Sequence, residues 1–450
     1  MDKAERLFND CLEINTQIGA LESLGSVLHS LGAISKTRGD ISKALRLFEE
    51  SLEISKSMGN LDASALSLFG IGEILELQGD VADAKRIYLE CLGIVQISND
   101  KQMEPYLLNS LGDISLDKGN LDEAYRFYIE SLDLFRKNVD RKGEVFALCN
   151  IASVSKFRGR LEESENWAHE GLKISKEVNL LDGAGKALDL LSEIAQIKGD
   201  YLNAERLIRE CMVIGREIGD RQLEANSLNN LGTILSASNK ISEAECVYDE
   251  CIVIAKEIGF KGLEASCLIN LGTIAEERGD LQNAEHRYLE ALNISKETGH
   301  RFTEENALNN LGVFHENQGR LDEAKLCYEE CLKMSRDFGL LLSEANSLGN
   351  MGRISAKTAN SPKDFERAQK LIQESLRIFR QIRNFKGVAI TLNNLGNILV
   401  VRNDLDGAEK NFLESLDISK KIDDSDSESN ASRNLSNLNK IREKDEQGNL

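Results

Sequence analysis

Proline is almost missing from this chain. Two residues in 450 stand against the roughly 5% of an average protein, so nothing interrupts long helices. No apolar run approaches the ~18 residues of a transmembrane helix, so no membrane association is expected. Met1–Arg6 is charged and lacks the apolar core of a secretion signal. Basic residues are outnumbered, 55 Lys and Arg to 75 Asp and Glu, a net charge of −20, which argues against a nucleic-acid groove. There is no CxxC and no Cys/His cluster at zinc spacing, so no metal site is expected. Without a secretion signal, the nine cysteines read as reduced thiols of a cytoplasmic protein. Walker A, GxGxxG, HExxH and GxSxG patterns are all absent. The histidines, His29, His169, His286, His300 and His315, fall at unrelated positions. Catalytic residues and cofactors are therefore not expected. What is present is ordinary for a packed protein: 41% hydrophobic residues, in a length that by itself suggests two to four domains.

The order within that length is a repeat. Leu31-Gly32, Ile71-Gly72, Leu111-Gly112, Ile151-Ala152, Leu191-Ser192, Leu231-Gly232, Leu271-Gly272, Leu311-Gly312 and Met351-Gly352 step by 40 residues; after an insertion of four, Leu395-Gly396 and Leu435-Ser436 continue the series. Twelve residues after the glycine stands a small residue (Ala44, Ala84, Ala124, Ser164, Ala204, Ala244, Ala284, Ala324), and four later a large one, usually aromatic: Phe48, Tyr88, Tyr128, Tyr248, Tyr288, Tyr328, Phe412. Each unit reads as two helices. Leu228, Leu231, Gly232 and Leu235 share one helical face, as do Ile241, Ala244, Tyr248, Cys251 and Ile252. Gly-Asp or Gly-Asn turns, such as Gly39-Asp40, Gly79-Asp80 and Gly279-Asp280, end the first helix and cap the second; glycines such as Gly219, Gly259 and Gly339 end the second. A glycine inside a helix costs about 1 kcal/mol against Ala, so its recurrence implies that the partner helix passes close by.

The pattern resembles the tetratricopeptide repeat. That family's W-x2-L-G-x2-Y and A-x3-F elements appear as Leu228-x2-Leu231-Gly232 and Ala244-x3-Tyr248, with Leu for Trp, no closing Pro, and a 40-residue period. It is similar to the longer subclass found in kinesin light chains, Pins/LGN-type adaptors and the sensor arms of STAND regulators. The resemblance implies an all-α fold, a right-handed superhelical solenoid of antiparallel helix pairs. The expected order is an unpaired second-type helix of an incomplete repeat in residues 1–21, ten helix pairs in 22–421, and a capping helix with a polar tail in 422–450. Leu7, Phe8, Cys11 and Leu12 lack a covering helix, so residues 1–18 are a candidate for self-association, for an upstream partner, or for the cut edge of a longer array. Pro105 and Pro362 fall where they break no helix, Pro362 within the four-residue insertion Thr358–Pro362, a surface loop or a partner contact.

In such solenoids the first-type helices line the concave face, and the family's ligand contacts come from there. One position before Leu-Gly is Asn in most units: Asn150, Asn230, Asn270, Asn310, Asn350, Asn394 and Asn434; Asn226, Asn306 and Asn346 stand one turn earlier, and Thr233, Thr273 and Arg353 one turn later. A carboxamide offers two donors and an acceptor, matching an extended peptide's alternating groups; the other reading is that each Asn orders the stack. The first half carries Leu66, Phe69, Leu77, Tyr106, Phe146, Phe157, Leu190 and Ile197 on that face, the second half Asn, Ser and Thr. An apolar anchor-accepting region and a polar gripping region are expected, some of the apolar set being inter-repeat core instead. The position where chaperone-tail-binding relatives need Lys carries none here. Cys11, Cys91, Cys211, Cys251 and Cys331 share one position and read as small packing residues. Carboxylates read as solvated, with local helix pairs such as Glu297 beside Lys296 and Arg301. The expected function is a non-enzymatic scaffold binding a protein partner through an extended or basic peptide segment. The alternative is the sensor arm of a signalling ATPase or transcription regulator.

Overall fold

The computed structural model describes residues 2–98, 100–338, 340–422 and 424–448, and all regular structure among them is helical. The expected turn at Gly339 and residues 449–450 of the tail lie outside the described residues. In chain order the helices are α1 (Asp2–Ile18), α2 (Leu21–Thr37), α3 (Ile41–Ser57), α4 (Leu61–Gln78), α5 (Val81–Ser98), α6 (Glu104–Asp117), α7 (Leu121–Asn138), α8 (Arg141–Phe157), α9 (Leu161–Glu177), α10 (Leu181–Ile197) and α11 (Tyr201–Ile218). They continue as α12 (Arg221–Ala237), α13 (Ile241–Glu257), α14 (Lys261–Glu277), α15 (Leu281–Thr298), α16 (Arg301–Asn317), α17 (Leu321–Phe338), α18 (Leu341–Lys357), α19 (Pro362–Gln381), α20 (Phe385–Val401), α21 (Leu405–Lys421) and α22 (Ser425–Gly448). Even-numbered helices are of the first type and odd-numbered ones of the second. The array divides into two compact units: Met1–Asp117 with Asp122–Leu148 (unit 1), and Lys118–Leu121 with Cys149–Leu450 (unit 2).

The turns follow the sequence logic. Gly79 closes α4 at φ 81°, and the Asp40 carboxylate accepts from the Lys43 amide at the start of α3. Where the turn glycine is replaced, the left-handed conformation persists: Asn179, Asn239 and Asn403 tolerate it, whereas Val139 (φ 58°) and Arg383 (φ 54°) carry it against the steric preference of an L side chain. The four-residue insertion is not simply a longer loop. Serine 361 caps α19 by accepting from the Asp364 amide, Pro362 occupies its first turn, and α19 runs 20 residues where α3 has 17. Most of the insertion has been wound into helix, because Ser-Pro is itself a helix-start signal.

Inside each unit the second-type ring lies on the first-type glycine. A methyl on Gly32, Gly232, Gly272 or Gly312 would stand 2.6–2.8 Å from the ring of Phe48, Tyr248, Tyr288 or Tyr328; Gly72, Gly112 and Gly396 meet Tyr88, Tyr128 and Phe412 more closely still. Two exceptions are paired, Ala152 standing where the ring position is Ala168 and Ser192 where it is Ile208; in a third, Gly352 is kept and meets Ile372 instead of a ring. A second contact of the same kind joins successive repeats, Phe135 on Gly143 and Phe379 on Gly387.

The shared cysteine position does more than pack. Cys91, Cys211 and Cys251 donate to the carbonyls of Ala65, Gly185 and Ala225, 26 residues upstream, at 3.1–3.2 Å, as Ser51, Ser131 and Ser415 do to Gly25, Pro105 and Ala389. The position takes small residues, most of them with a donor; Gly171 and Ala291 are the members without one. Cys11 departs from the expectation, being exposed on α1, where Leu7, Ile14 and Ile18 are also exposed. On α22, Ala431 and Leu438 are buried, and Leu435 and Ile441 half-buried.

The reading of carboxylates as solvated is corrected in one row, Glu144, Glu224 and Glu264, and at Glu316 on a different repeat position; all four are buried. Glu224 sits between Arg216 and Arg221, both at 2.6 Å, and Glu144 between Arg136 and Arg141. Burial pushes the Glu224 pKa up, but the two guanidiniums outweigh it and hold the carboxyl below its ordinary range. Lys296 pairs not with its own helix but with Glu330 of the next second-type helix, at 2.8 Å. Lys176–Glu210, Arg216–Glu250 and Arg380–Glu414 repeat that link.

Two consequences are measurable. Gly232→Ala is expected to lose about 1–3 kcal/mol in chemical denaturation, and to cost much less when made in a Tyr248→Ala background, where the ring that the methyl strikes is gone. Val139→Gly is expected to gain about 1 kcal/mol by releasing a left-handed valine, read in the same assay.

Candidate functional site

In unit 2 the asparagine row lies where neighbouring first-type helices meet. Asn230 donates through Nδ2 to Asp189 at 2.7 Å, Asn270 to Asn229 at 3.1 Å, Asn350 to Asn309 at 2.9 Å and Asn434 to Asn393 at 3.3 Å, each 41 residues upstream. Asn310 instead turns back to the Asn306 carbonyl at 2.8 Å. The row therefore links neighbouring repeats. One such bond uses one of the two N–H groups and does not exhaust a carboxamide. Asn150, Asn226, Asn306 and Asn394 are half-buried, and Asn346 is exposed. Arg353 joins Lys357 on the buried Glu316 and reaches the Asn350 oxygen at 3.2 Å. Thr233 and Thr273 are hydrogen-bonded to the Tyr248 and Tyr288 hydroxyls, 3.1 and 3.2 Å away. Burial pushes the Asp189 pKa up to about 6, with Glu193 adding and the Asn230 and Lys156 contacts subtracting.

A cavity of about 870 Å³ opens in unit 2. Phe157 and Ile197 come to it from the ends of α8 and α10; Leu342, Asn346, Phe385 and Ile390 come from α18 and α20. The sequence reading had made the later first-type helices polar. Ile390 corrects it: it occupies the repeat position of Leu66, Tyr106 and Phe146, displaced by the insertion, and is 46% exposed. Of the residues singled out by sequence, Asn346 lines this cavity along with Phe157 and Ile197, while Leu190 packs into the inter-repeat core.

In unit 1, Phe69 is half-buried against Tyr88, ring centroids 5.6 Å apart. Tyr106 is partly exposed, its edge on Phe135 at 4.8 Å and its hydroxyl donating to Asp140 at 2.6 Å. Phe146 lies under the Lys142 ammonium, 5.9 Å from its ring centre. Leu66 and Leu77 are exposed. Beside them Tyr88 donates to Glu76 at 2.5 Å and Tyr128 to Asp113 at 2.6 Å. Burial pushes the Glu76 pKa up to about 7; the Tyr88 bond lowers it, and the charges of Asp113, Asp117 and Glu73 raise it. Among the described residues no group of three or more His, Cys, Asp or Glu is placed to hold a metal ion, and no helix is long and apolar enough to cross a membrane.

Comparison with known proteins fits this geometry. A family model described as a MalT-like TPR region matches residues 12–183, and models described as tetratricopeptide repeats match 184–257, 265–298, 305–338 and 388–422. The chain belongs to the tetratricopeptide repeat family. No curated protein sequence matches it significantly. Among solved structures, a Rap protein complexed with competence and sporulation factor shares the fold at TM-score 0.51 and 16% identity, over 83% of this chain and 97% of that one. A STAND protein with a tetratricopeptide repeat sensor from Pyrococcus horikoshii aligns at TM-score 0.47 and 14% identity over 75% of this chain, which spans 53% of that protein. BtubC (BKLC) from P. vanneervenii aligns at 0.41 and 21% identity over 49% of this chain and 92% of that one. These tetratricopeptide repeats depart from the sequence-based picture mainly in the buried glutamate row. Its signal was available as Arg/Lys-x4-Arg/Lys-x2-Glu at the 40-residue step: Arg136/Arg141/Glu144, Arg216/Arg221/Glu224, Lys256/Lys261/Glu264.

The raised Glu76 pKa has a testable sign. Between the ordinary value of 4.5 and about 7 the folded chain holds a proton on Glu76 that the unfolded chain has released. Stability from this group is thus lost as pH rises through that window. Glu76→Gln is expected to raise the thermal midpoint at about pH 8 and leave it nearly unchanged at about pH 4.

Proposed function

We propose that this tetratricopeptide repeat chain is a non-enzymatic scaffold that holds a peptide segment of a partner protein on the face of its first-type helices. The observation that carries this reading is the unit 2 cavity. Its apolar side chains, Phe157, Ile197, Leu342, Phe385 and Ile390, offer anchors, and the Asn346 carboxamide stands among them. Lys156, Glu193, Lys386, Asp424 and Asp426 also line it, so apolar anchors alternate with charged groups that can orient a ligand, and about 870 Å³ has room for several residues. The asparagine row is assigned two parts: one N–H ties Asn230, Asn270 and Asn350 to the preceding repeat, and the remaining polar atoms, with those of Asn150, Asn226, Asn306, Asn310 and Asn394, meet the peptide backbone. The Rap protein of the same fold was captured with competence and sporulation factor, which agrees with a bound factor here. A cytoplasmic location belongs to the same reading, since all nine cysteines are free thiols.

A second reading, the sensor arm of a signalling ATPase or transcription regulator, is favoured by the MalT-like match over residues 12–183. It uses the same face, and differs in requiring a nucleotide-binding module in the same assembly.

Affinity capture with quantitative mass spectrometry tests the scaffold reading. Ile390→Arg with Asn346→Ala, both at accessible positions, is expected to lose at least tenfold of the partners held by the native chain. Leu413→Arg, exposed on a second-type helix, is expected to keep them. Loss with Leu413→Arg and retention with the cavity variant would contradict the assignment.

A further inference from the structure

Unit 1 presents a second surface with a different chemistry. Leu66, Leu77 and Tyr106 are 48%, 63% and 41% exposed on the neighbouring first-type helices α4 and α6. They form two rows of the repeat: Leu66 with Tyr106, and Leu77 with Asp117, each 40 residues apart. With Asp117 of the second row stand the carboxylates of Glu73, Glu76 and Asp113, close enough that Asp113, Asp117 and Glu73 all act on Glu76.

Glu76 is held differently from the buried glutamates that cations clamp; Tyr288 donates to Glu276 in the corresponding place of unit 2, though at 3.2 Å. Glu144 and Glu224 are each clamped by two cations, and Glu316 by Arg353 and Lys357. Glu76 is instead fixed by the Tyr88 hydroxyl at 2.5 Å, and Asp113 accepts the Tyr128 hydroxyl at 2.6 Å. A phenol orients a carboxylate without neutralising it. The groups acting on Glu76 are one phenol and three carboxylates, and Lys36 reaches only as far as Glu73. The result is a set of oriented acceptors in an acidic neighbourhood beside exposed apolar side chains. Unlike charges lower one another's energy most where water is partly excluded; burial is the main cause of the raised Glu76 pKa and the three carboxylates add to it, so a cation placed here relieves that added repulsion.

We propose that the α4–α6 face of unit 1 is a docking surface for a cationic amphipathic segment of a partner protein, its Lys or Arg side chains set against Glu73, Glu76, Asp113 and Asp117 and its apolar side chains against Leu66, Leu77 and Tyr106. This rests on the reading that first-type helices take a peptide, and adds the chemistry of the peptide.

The test uses the full chain and two fluorescent probes, a peptide of about twelve residues mixing Lys and Leu, and the same peptide with every Lys replaced by Gln, at about 0.15 M salt so that bulk attraction is screened. The Lys probe is expected to bind at least tenfold tighter than the Gln probe. Glu76→Gln with Asp117→Asn is expected to bring the two probes level. Glu49→Gln with Glu53→Gln, exposed on the second-type helix α3, removes the same charge and is expected to preserve the difference. Leu66→Ser with Leu77→Ser should weaken both probes. Equal losses in the two charge variants would mean attraction to net charge alone and overturn the proposal. Equal binding of both probes would overturn it while leaving peptide binding standing. No binding of either would remove this face from the peptide reading altogether.

Discussion

The structure depends on an aromatic ring lying on a helix that has no side chain beneath it. Tyr248 on Gly232 and Tyr288 on Gly272 bring the two helices of a repeat so close that a single methyl cannot fit, and the helix-weakening cost of the glycine, about 1 kcal/mol, is offset by burying a whole ring. The constraint is steric, so the two positions tend to change together, as at Ala152 with Ala168 and Ser192 with Ile208, although Gly352 is kept opposite Ile372, whose branched side chain fills the same space. Once the pair is fixed, the first-type helix has one face committed to the ring, and its remaining faces are left for the next repeat and for solvent.

Polar side chains then set the stacking. Three separations recur: 26 residues for the Ser or Cys donor to a carbonyl, 41 for the asparagine row, and 34 for the ion pairs between second-type helices. The second is the 40-residue period plus one residue, and the others fall short of it by 14 and 6 residues; because each recurs from repeat to repeat, each bond also measures register. The buried glutamates act in the same sense. Glu224 joins the end of α11 to the start of α12 through Arg216 and Arg221, and removing either partner would leave a costly buried charge. In a solenoid, where contacts are mainly between neighbours, such links give a stack of otherwise similar units a definite geometry.

What was legible in the sequence follows from distance along the chain. The ring and its glycine are 16 residues apart within one repeat, and steric demands of that kind recur unchanged, so Gly232 and Tyr248 could be paired by inspection. The asparagine row was visible as a row, but its bonds were not, because Asn270 meets Asn229 rather than the Asn230 that shares its repeat position. Glu224 was hidden by its charge: a carboxylate reads as surface unless its two arginines are read with it. Ile390 was missed because the insertion moved it out of the 40-residue frame. The unit 2 cavity could not be read at all, since its walls come from repeats far apart in sequence and their meeting is set by small rotations accumulated over the repeats between them.

The functional account reduces to one proposal, that partners are held on the first-type helices and leave the exposed faces of the second-type helices free. Carbodiimide footprinting of carboxylates, with and without a captured partner, reads this directly. The account expects labelling to fall at Glu73, Asp113, Asp117 and Asp426, on or beside first-type helices, and to remain unchanged at exposed second-type carboxylates such as Glu49, Glu53 and Asp249. Protection confined to the second-type set would contradict it.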